Sequence, residues 1–264
     1  MNNYSKGNFL SSIPPVTRNI LILNVLVWGV IELCMFGNDS MQSFSSFLTE
    51  NLGLHFWGSS EFQPLQLVTY MFVHDPGSPI HLLFNMFTLW MFGRMMEHVW
   101  GSKRFALFYF VCGIGAALVQ EVVWQLVWMH DYISALAQLN HTSYETISQY
   151  INQGLAASDA NVLSAISGYK AQILTIGASG AVFGILLGFA FVFPNIPLYL
   201  FFIPVPIKAK YMVIGYGVIE LLLGVSAADS SVAHFAHLGG MLFGLILLLY
   251  WKKKHGSFGG NIFR

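Results

Sequence analysis

The chain has 264 residues, of which 55% are hydrophobic and only 9% charged, against about 25% charged in soluble globular domains, so it reads as a membrane protein. Twelve Lys and Arg balance twelve Asp and Glu for a formal net charge of zero, which leaves no basic excess to neutralise phosphates and excludes nucleic acid as a partner. The two cysteines, Cys34 and Cys112, sit inside apolar runs; they make neither a disulfide framework nor a four-cysteine metal site and are expected to be packing residues.

Apolar runs approaching the roughly 20 residues of a spanning helix recur six times: Ile20 to Phe36, Ile80 to Trp100, Phe105 to Met129, Ile173 to Phe193, Lys210 to Val225 and Val232 to Trp251. The expected fold is an all-α membrane protein, a six-helix bundle over 20–251 after a cytoplasmic N-terminal segment, 1–19, and before a basic cytoplasmic tail, 252–264. No short basic stretch leads into a small-residue cleavage site, so the first run is expected to be a retained span of a mature chain. With both termini inside, every cation except Lys170 falls on the cytoplasmic side, from Lys6, Arg18 and Arg94 to Lys252, Lys253, Lys254 and Arg264, as the positive-inside rule requires. Asp75, Glu61, Asp131 and Asp229 then belong to an acidic outer face.

Outer loops are expected at about 37–79 and 130–172. In the first, the stretch from Phe62 to Val73 is too short to cross and contains Pro64, which places it in the interface. In the second, Ile147, Tyr150, Ile151 and Leu155 share a helical face, predicting one or two surface helices. Pro194, Pro197, Pro204 and Pro206 make an inner connection between the fourth and fifth spans. No internal repeat suggests a transporter built from duplicated halves.

Polar side chains inside spans are functional candidates because hydrocarbon makes them costly. Asn85, Ser179 and His237 lie five, six and five residues inside the outer ends of three spans, so at about 1.5 Å per residue each is expected roughly 8–9 Å deep. His81 is one turn above Asn85 on the same face. A hydroxyl, an imidazole and an amide at one level are what acyl transfer needs: Ser179 as nucleophile, His237 as base, and His81, Asn85 and the Ser179 N–H as oxyanion donors. Gly177 and Gly180 remove bulk around the hydroxyl, and Gly240 and Gly244 form a small-xxx-small spacing after His237 that lets two helices approach closely. No carboxylate stands out to orient His237, so a Ser-His dyad is expected. His234 and His237 are three apart and can also be read as metal ligands, but a zinc site wants further ligands, and no metal is expected. Glu32, Glu121 and Glu220 are expected to be interhelical hydrogen-bond partners or cavity lining, and Glu97 to tie helix ends at the inner side.

These residues resemble the rhomboid family of intramembrane serine proteases over roughly Leu65 to Trp251. His81-Leu-Leu-Phe-Asn85 is similar to the family's H-x-x-x-N oxyanion motif, Gly177-Ala-Ser-Gly180 to its G-x-S-G motif, and Ala236-His-Leu-Gly-Gly-Met-Leu-Phe-Gly244 to its A-H-x-x-G-x-x-x-G motif. The resemblance implies a six-helix core, cleavage of single-span or multi-span membrane-protein substrates in the bilayer, no metal or organic cofactor, and a Phe183 ring packed on His237 where many relatives carry Tyr. Two departures stand out. The segment Leu65 to His74 lacks the Trp-Arg pair of many members, and the loop after the third span is longer than in compact ones. A bacterial inner membrane is the expected location, with the dyad in a hydrophilic cavity open to the outside and with the first loop and fifth span as lateral entry elements. The competing readings are a catalytically silent rhomboid-like binder of transmembrane segments and, third, a transporter in which Glu121 and Glu220 matter most.

Overall fold

The computed structural model describes residues 12–199, 205–226 and 234–255. Lys6, Pro204, Asp229, Val232, Arg264 and the 256–264 part of the basic tail lie outside the described residues. The helices are α1 (Pro15–Met35), α2 (Asp39–Leu52), α3 (Gln66–Thr69), α4 (Pro79–Thr88), α5 (Arg94–Trp100), α6 (Ser102–Leu139), α7 (Tyr144–Ala156), α8 (Ala160–Gln172), α9 (Ser179–Val192), α10 (Ala209–Ser226) and α11 (His234–His255). A π-helical turn, Leu89–Gly93, joins α4 to α5 in one continuous helical run. Four of these helices, α1, α6, α10 and α11, are long and apolar enough to cross a membrane, and α9 is a shorter apolar helix. Leucines such as Leu26, Leu33 and Leu222 stand exposed on them, which suits a lipid solvent.

The core is built where α6, α9 and α11 pack on one another, and glycine is the reason they come so close. A Cβ on Gly240 of α11 would run into the Gly180 carbonyl of α9, and one on Gly244 would meet Cys112 Sγ and Phe108 Cζ of α6 at 3.1 Å. The expected small-residue seam is therefore a three-helix contact, with Cys112 fully buried in it. At the far end Trp100, Phe108 and Trp251 close the core with ring centroids 4.8 to 6.0 Å apart.

Glu97 ties two helix ends together there. Its carboxylate accepts from the Val16 and Thr17 N–H groups at 3.0 and 2.7 Å, and from the Thr17 and Ser102 hydroxyls at 2.7 Å. The first N–H groups of α1 have no partner within the helix, and a carboxylate also suits the positive end of the helix dipole.

Several helix limits differ from the sequence expectation: α1 starts at Pro15 rather than Ile20, α11 runs to His255 rather than Trp251, and two further limits differ more. The fourth apolar run was expected to be helical from Ile173, but Leu174–Thr175 is a strand, β2, paired antiparallel with Leu54–His55, β1. Helix α9 starts only at Ser179; a short apolar run with β-branched residues suits strand as well as helix. The third run continues as helix to Leu139, ten residues past the expected end at Met129. Its extension carries α7 and α8, the expected surface helices, on a small core of Tyr132, Ile151, Val162 and Ile166. Ile147 and Leu155 pack against that core, whereas Tyr150 is 60% exposed and does not belong to the buried face. A second strand pair, Pro197–Leu198 (β3) with Ile207–Lys208 (β4), leads into α10.

Candidate active site

The first loop is anchored without a Trp-Arg pair. Glu121 of α6, fully buried, accepts from the Trp57 N–H at 2.7 Å, and the Trp57 indole donates to Gln125 Oε1 at 3.0 Å. Gln66 Oε1 accepts from the N–H groups of Gln63 and His55, while its amide donates to the Glu61 carbonyl at 3.1 Å. The Tyr70 hydroxyl donates to the Gly113 carbonyl of α6 at 2.7 Å, and the Tyr70 carbonyl accepts from the Gly177 N–H at 2.9 Å. Glu32 of α1 holds the end of the loop by accepting from the Gly77 N–H at 2.7 Å. The segment that carries Tyr70 thus supports the Gly177 turn.

Gly177 sits at φ +122°, a conformation in which an L side chain is strained. That turn ends the strand and starts α9, making Ser179 its first residue rather than a residue six positions deep. The first intrahelical bond runs from the Val182 N–H to the Ala178 carbonyl, so the N–H groups of the first turn, that of Ser179 included, have no partner inside the helix. Such donors at a positive helix end are suited to an anion.

Across the packed seam, His237 Nε2 lies 2.8 Å from Ser179 Oγ. Phe183, one turn after Ser179, stacks on the imidazole with centroids 4.3 Å apart and planes 2° from parallel. His81 reaches the same place from α4: a Cβ on Gly177 would lie 3.0 Å from its Cε1 and Nε2. His81 Nδ1 accepts from the Asp75 N–H at 3.4 Å, which leaves the proton of the neutral ring on Nε2, the nitrogen turned toward the Ser179 side. Asn85 is buried and donates one amide hydrogen to the His81 carbonyl at 2.9 Å, keeping its second available. Ser179, His237, His81, Asn85, Gly177 and Phe183 are therefore brought to one place, with Gly180 and Gly240 abutting at the seam beside it and Gly244 farther along the seam against Cys112, Phe108 and Gly184.

Two neighbours complete the surroundings: Glu220, expected from sequence as an interhelical hydrogen-bond partner or cavity lining but not as a partner of His237, and His74, which was not picked out. Glu220 of α10 places Oε2 2.7 Å from His234 Nδ1 and 3.0 Å from His237 Nδ1, so a carboxylate does stand beside the imidazole where none was expected. His74, fully buried, lies with its ring centroid 5.1 Å from that of His81; burial and the like charge of His81 push it down to about 3. Antiparallel pairing of α10 and α11 through a short connection was the available signal for Glu220. His74 carried none beyond its place beside the loop.

Glu220, His234 and His237 hold their ligand atoms within 4.8 Å of one another, a span a metal ion can bridge. The 2.7 and 3.0 Å separations are nevertheless hydrogen-bond lengths, shorter than the roughly 3.3 Å between ligands of a tetrahedral ion with 2.0–2.1 Å bonds. This set fits shared protons better than a metal.

Beside Ser179 a cavity of about 590 Å³ opens between α4, α9 and α10, lined by Asn85 and Ser179 and by Phe84, Met91, Val182 and Tyr216 among others. A hydrophilic cavity was expected at this place. The wall is mostly apolar because α4 and α10 present aromatic and aliphatic side chains toward one another across the gap.

A rhomboid-domain family model matches residues 61–254, which takes in all three motifs and the elements that place them. The rhomboid protease AarA of Providencia stuartii is 25% identical over 256 residues, covering 95% of this chain and 78% of that protein. With the match extending over most of its length, the chain is an all-α integral membrane protein that belongs to the rhomboid family.

Proposed function

We propose that this protein is an intramembrane serine endopeptidase that hydrolyses peptide bonds in or near transmembrane helices of single-span or multi-span membrane proteins. The observation that carries the reading is the 2.8 Å contact of His237 Nε2 with Ser179 Oγ, two side chains on different helices held at hydrogen-bond distance. His237 takes the hydroxyl proton as Oγ attacks the scissile carbonyl and gives it to the leaving amine; it then takes a proton from the water that attacks the acyl-enzyme and returns it to Oγ as the acid product leaves. The developing oxyanion is met by the Ser179 N–H, the His81 Nε2–H and the free amide hydrogen of Asn85; each such donor is worth about 10²–10³ in rate. No step calls for a metal or organic cofactor.

The apolar cavity suits a substrate that arrives from lipid. Helical substrates shield their carbonyls by i to i−4 hydrogen bonds, so segments with Gly, Pro or β-branched residues near the scissile bond unwind at least cost. Passage between the first loop, α4 and α10 gives lateral entry. The membrane domain spans 20–251 with six crossings, α4 through α5 supplying the second and α9 the fourth; both termini are cytoplasmic, since that arrangement puts every cation but Lys170 inside. The AarA relative, a bacterial protein, favours a bacterial inner membrane.

The test is cleavage of a single-span reporter with a helix-breaking outer end by purified protein, wild type against Ser179→Ala and His237→Ala. Cleavage by wild type alone supports the protease. No cleavage by any of the three favours a silent binder of transmembrane segments.

A further inference from the structure

We infer that Glu220, braced by His234, is a positioning residue that holds the Nδ1 edge of His237 and so keeps the Nε2 lone pair on Ser179, turning a dyad into a three-helix relay. The inference rests on the proposed protease activity. Its basis is a carboxylate oxygen shared by two imidazoles: Glu220 Oε2 is 2.7 Å from His234 Nδ1 and 3.0 Å from His237 Nδ1, and the three side chains are 13%, 8% and 11% exposed.

The chemistry follows from tautomers. A neutral imidazole has one N–H, and an acceptor beside one nitrogen places the proton there and leaves the lone pair on the other. With an acceptor at Nδ1, His237 presents a bare Nε2 to the Ser179 hydroxyl, as a base must. The carboxylate also offsets the positive charge that the ring acquires when it takes the proton, the part played by the aspartate of soluble serine proteases. His234 donates to the same oxygen in a directed hydrogen bond, fixing the carboxylate so that it cannot swing away.

The resting geometry is loose on the His237 side. Its Nδ1 is at hydrogen-bond distance but off line, with no directed partner. Catalytic contacts of this kind tighten as charge forms, and the Phe183 stack leaves the imidazole free to turn within its own plane. A role confined to stitching α10 to α11 needs only the His234 bond and predicts no effect on the chemical step.

The experiment measures kcat, KM and melting temperature of the full-length protein in liposomes for wild type, Glu220→Gln, His234→Gln and the double variant, with Ser179→Ala as the blank and a fluorophosphonate as a second readout of Ser179 reactivity. Expected is a fall in kcat of about 10²–10⁴-fold for Glu220→Gln with KM within twofold and slower phosphonylation, a smaller fall for His234→Gln, and a double variant no worse than Glu220→Gln alone because the two act through one path. Folded Glu220→Gln with kcat within twofold of wild type overturns the inference. Should Glu220→Gln not fold, His234→Gln decides by the same criterion, a fall of fivefold or more in kcat supporting the relay and an unchanged kcat overturning it. Failure of the wild type to cleave or to label overturns the protease reading itself, and the relay with it, which separates that result from a fault in the relay.

Discussion

Phe183 lies flat on His237, ring centroids 4.3 Å apart and planes 2° from parallel, and it comes from the same helix as Ser179 one turn along. The stack restrains the imidazole against rotation out of the plane in which Nε2 meets Oγ. Stacked aromatic pairs contribute about 0.5–1.5 kcal/mol beyond burial, so Phe183→Ala is expected to lower kcat by about 3–10-fold with a small change in melting temperature. Phe183→Tyr keeps the ring and is expected to stay within about threefold of wild type. Steady-state cleavage of the same reporter by both variants decides, and an alanine variant as active as wild type refutes the restraint.

Gly177→Ala is expected to be worse than its size suggests. The backbone at φ +122° charges an L side chain roughly 1–3 kcal/mol, and the added methyl lies 3.0 Å from His81 Cε1 and Nε2, so the imidazole must shift away from the place where the oxyanion forms. The expected outcome is a lower melting temperature together with a fall in kcat of about 10²-fold, comparable to the loss of one oxyanion donor. Thermal unfolding and cleavage kinetics on one preparation separate the two effects. A variant that melts earlier with unchanged kcat would show that His81 does not need its present position.

The meeting of Ser179, His237, His81 and Asn85 was legible in the sequence because helical periodicity and small-residue spacing say which faces can touch. The depth of Ser179 was not, since Ile173 to Ile176 reads as apolar helix until Leu54 and His55 offer it a strand partner. Glu220 was visible as a costly polar residue, but periodicity assigns a face and never names the neighbour, and its two imidazole partners emerge only when α10 and α11 lie side by side. The anchoring of the first loop was hidden for a related reason. Glu121 and Gln66 bind backbone N–H groups, and such acceptors leave no pattern in the sequence of the segment they hold.

His74 makes stability depend on pH. It lies outside the spanning helices, and burial, with the like charge of His81, pushes it from the ordinary 6.5 down to about 3. The folded protein thus keeps it neutral in a range where the unfolded chain protonates it. Its contribution to stability is complete above about pH 6.5 and declines as pH falls toward about 3, with a slope of up to about 1.4 kcal/mol per pH unit. Other groups share in acid unfolding, so the difference between wild type and His74→Leu is the measurement. The leucine variant is expected to lose less stability between pH 6.5 and 4.5; parallel curves would mean that His74 takes up its proton in the folded state without cost.

Met212 of α10 is buried and faces the cavity that Ser179 and Asn85 also line, so Met212→Trp fills that space while Ser179, His237, His81 and Asn85 themselves stay unchanged. If transmembrane substrates lie in that cavity, the larger side chain competes with theirs. Pocket changes of one or two carbon groups are worth about 1–3 kcal/mol, or 10–200-fold in kcat/KM. The expected result is a loss in that range for reporters with large apolar residues next to the scissile bond, a smaller loss for those with alanine or glycine there, and unchanged phosphonylation of Ser179 by a small reagent. Equal loss for all reporters together with lost phosphonylation would instead mean that α10 had moved and disturbed Glu220. Equal cleavage of all reporters at the wild-type rate would mean that substrates reach Ser179 by another side of the helix bundle.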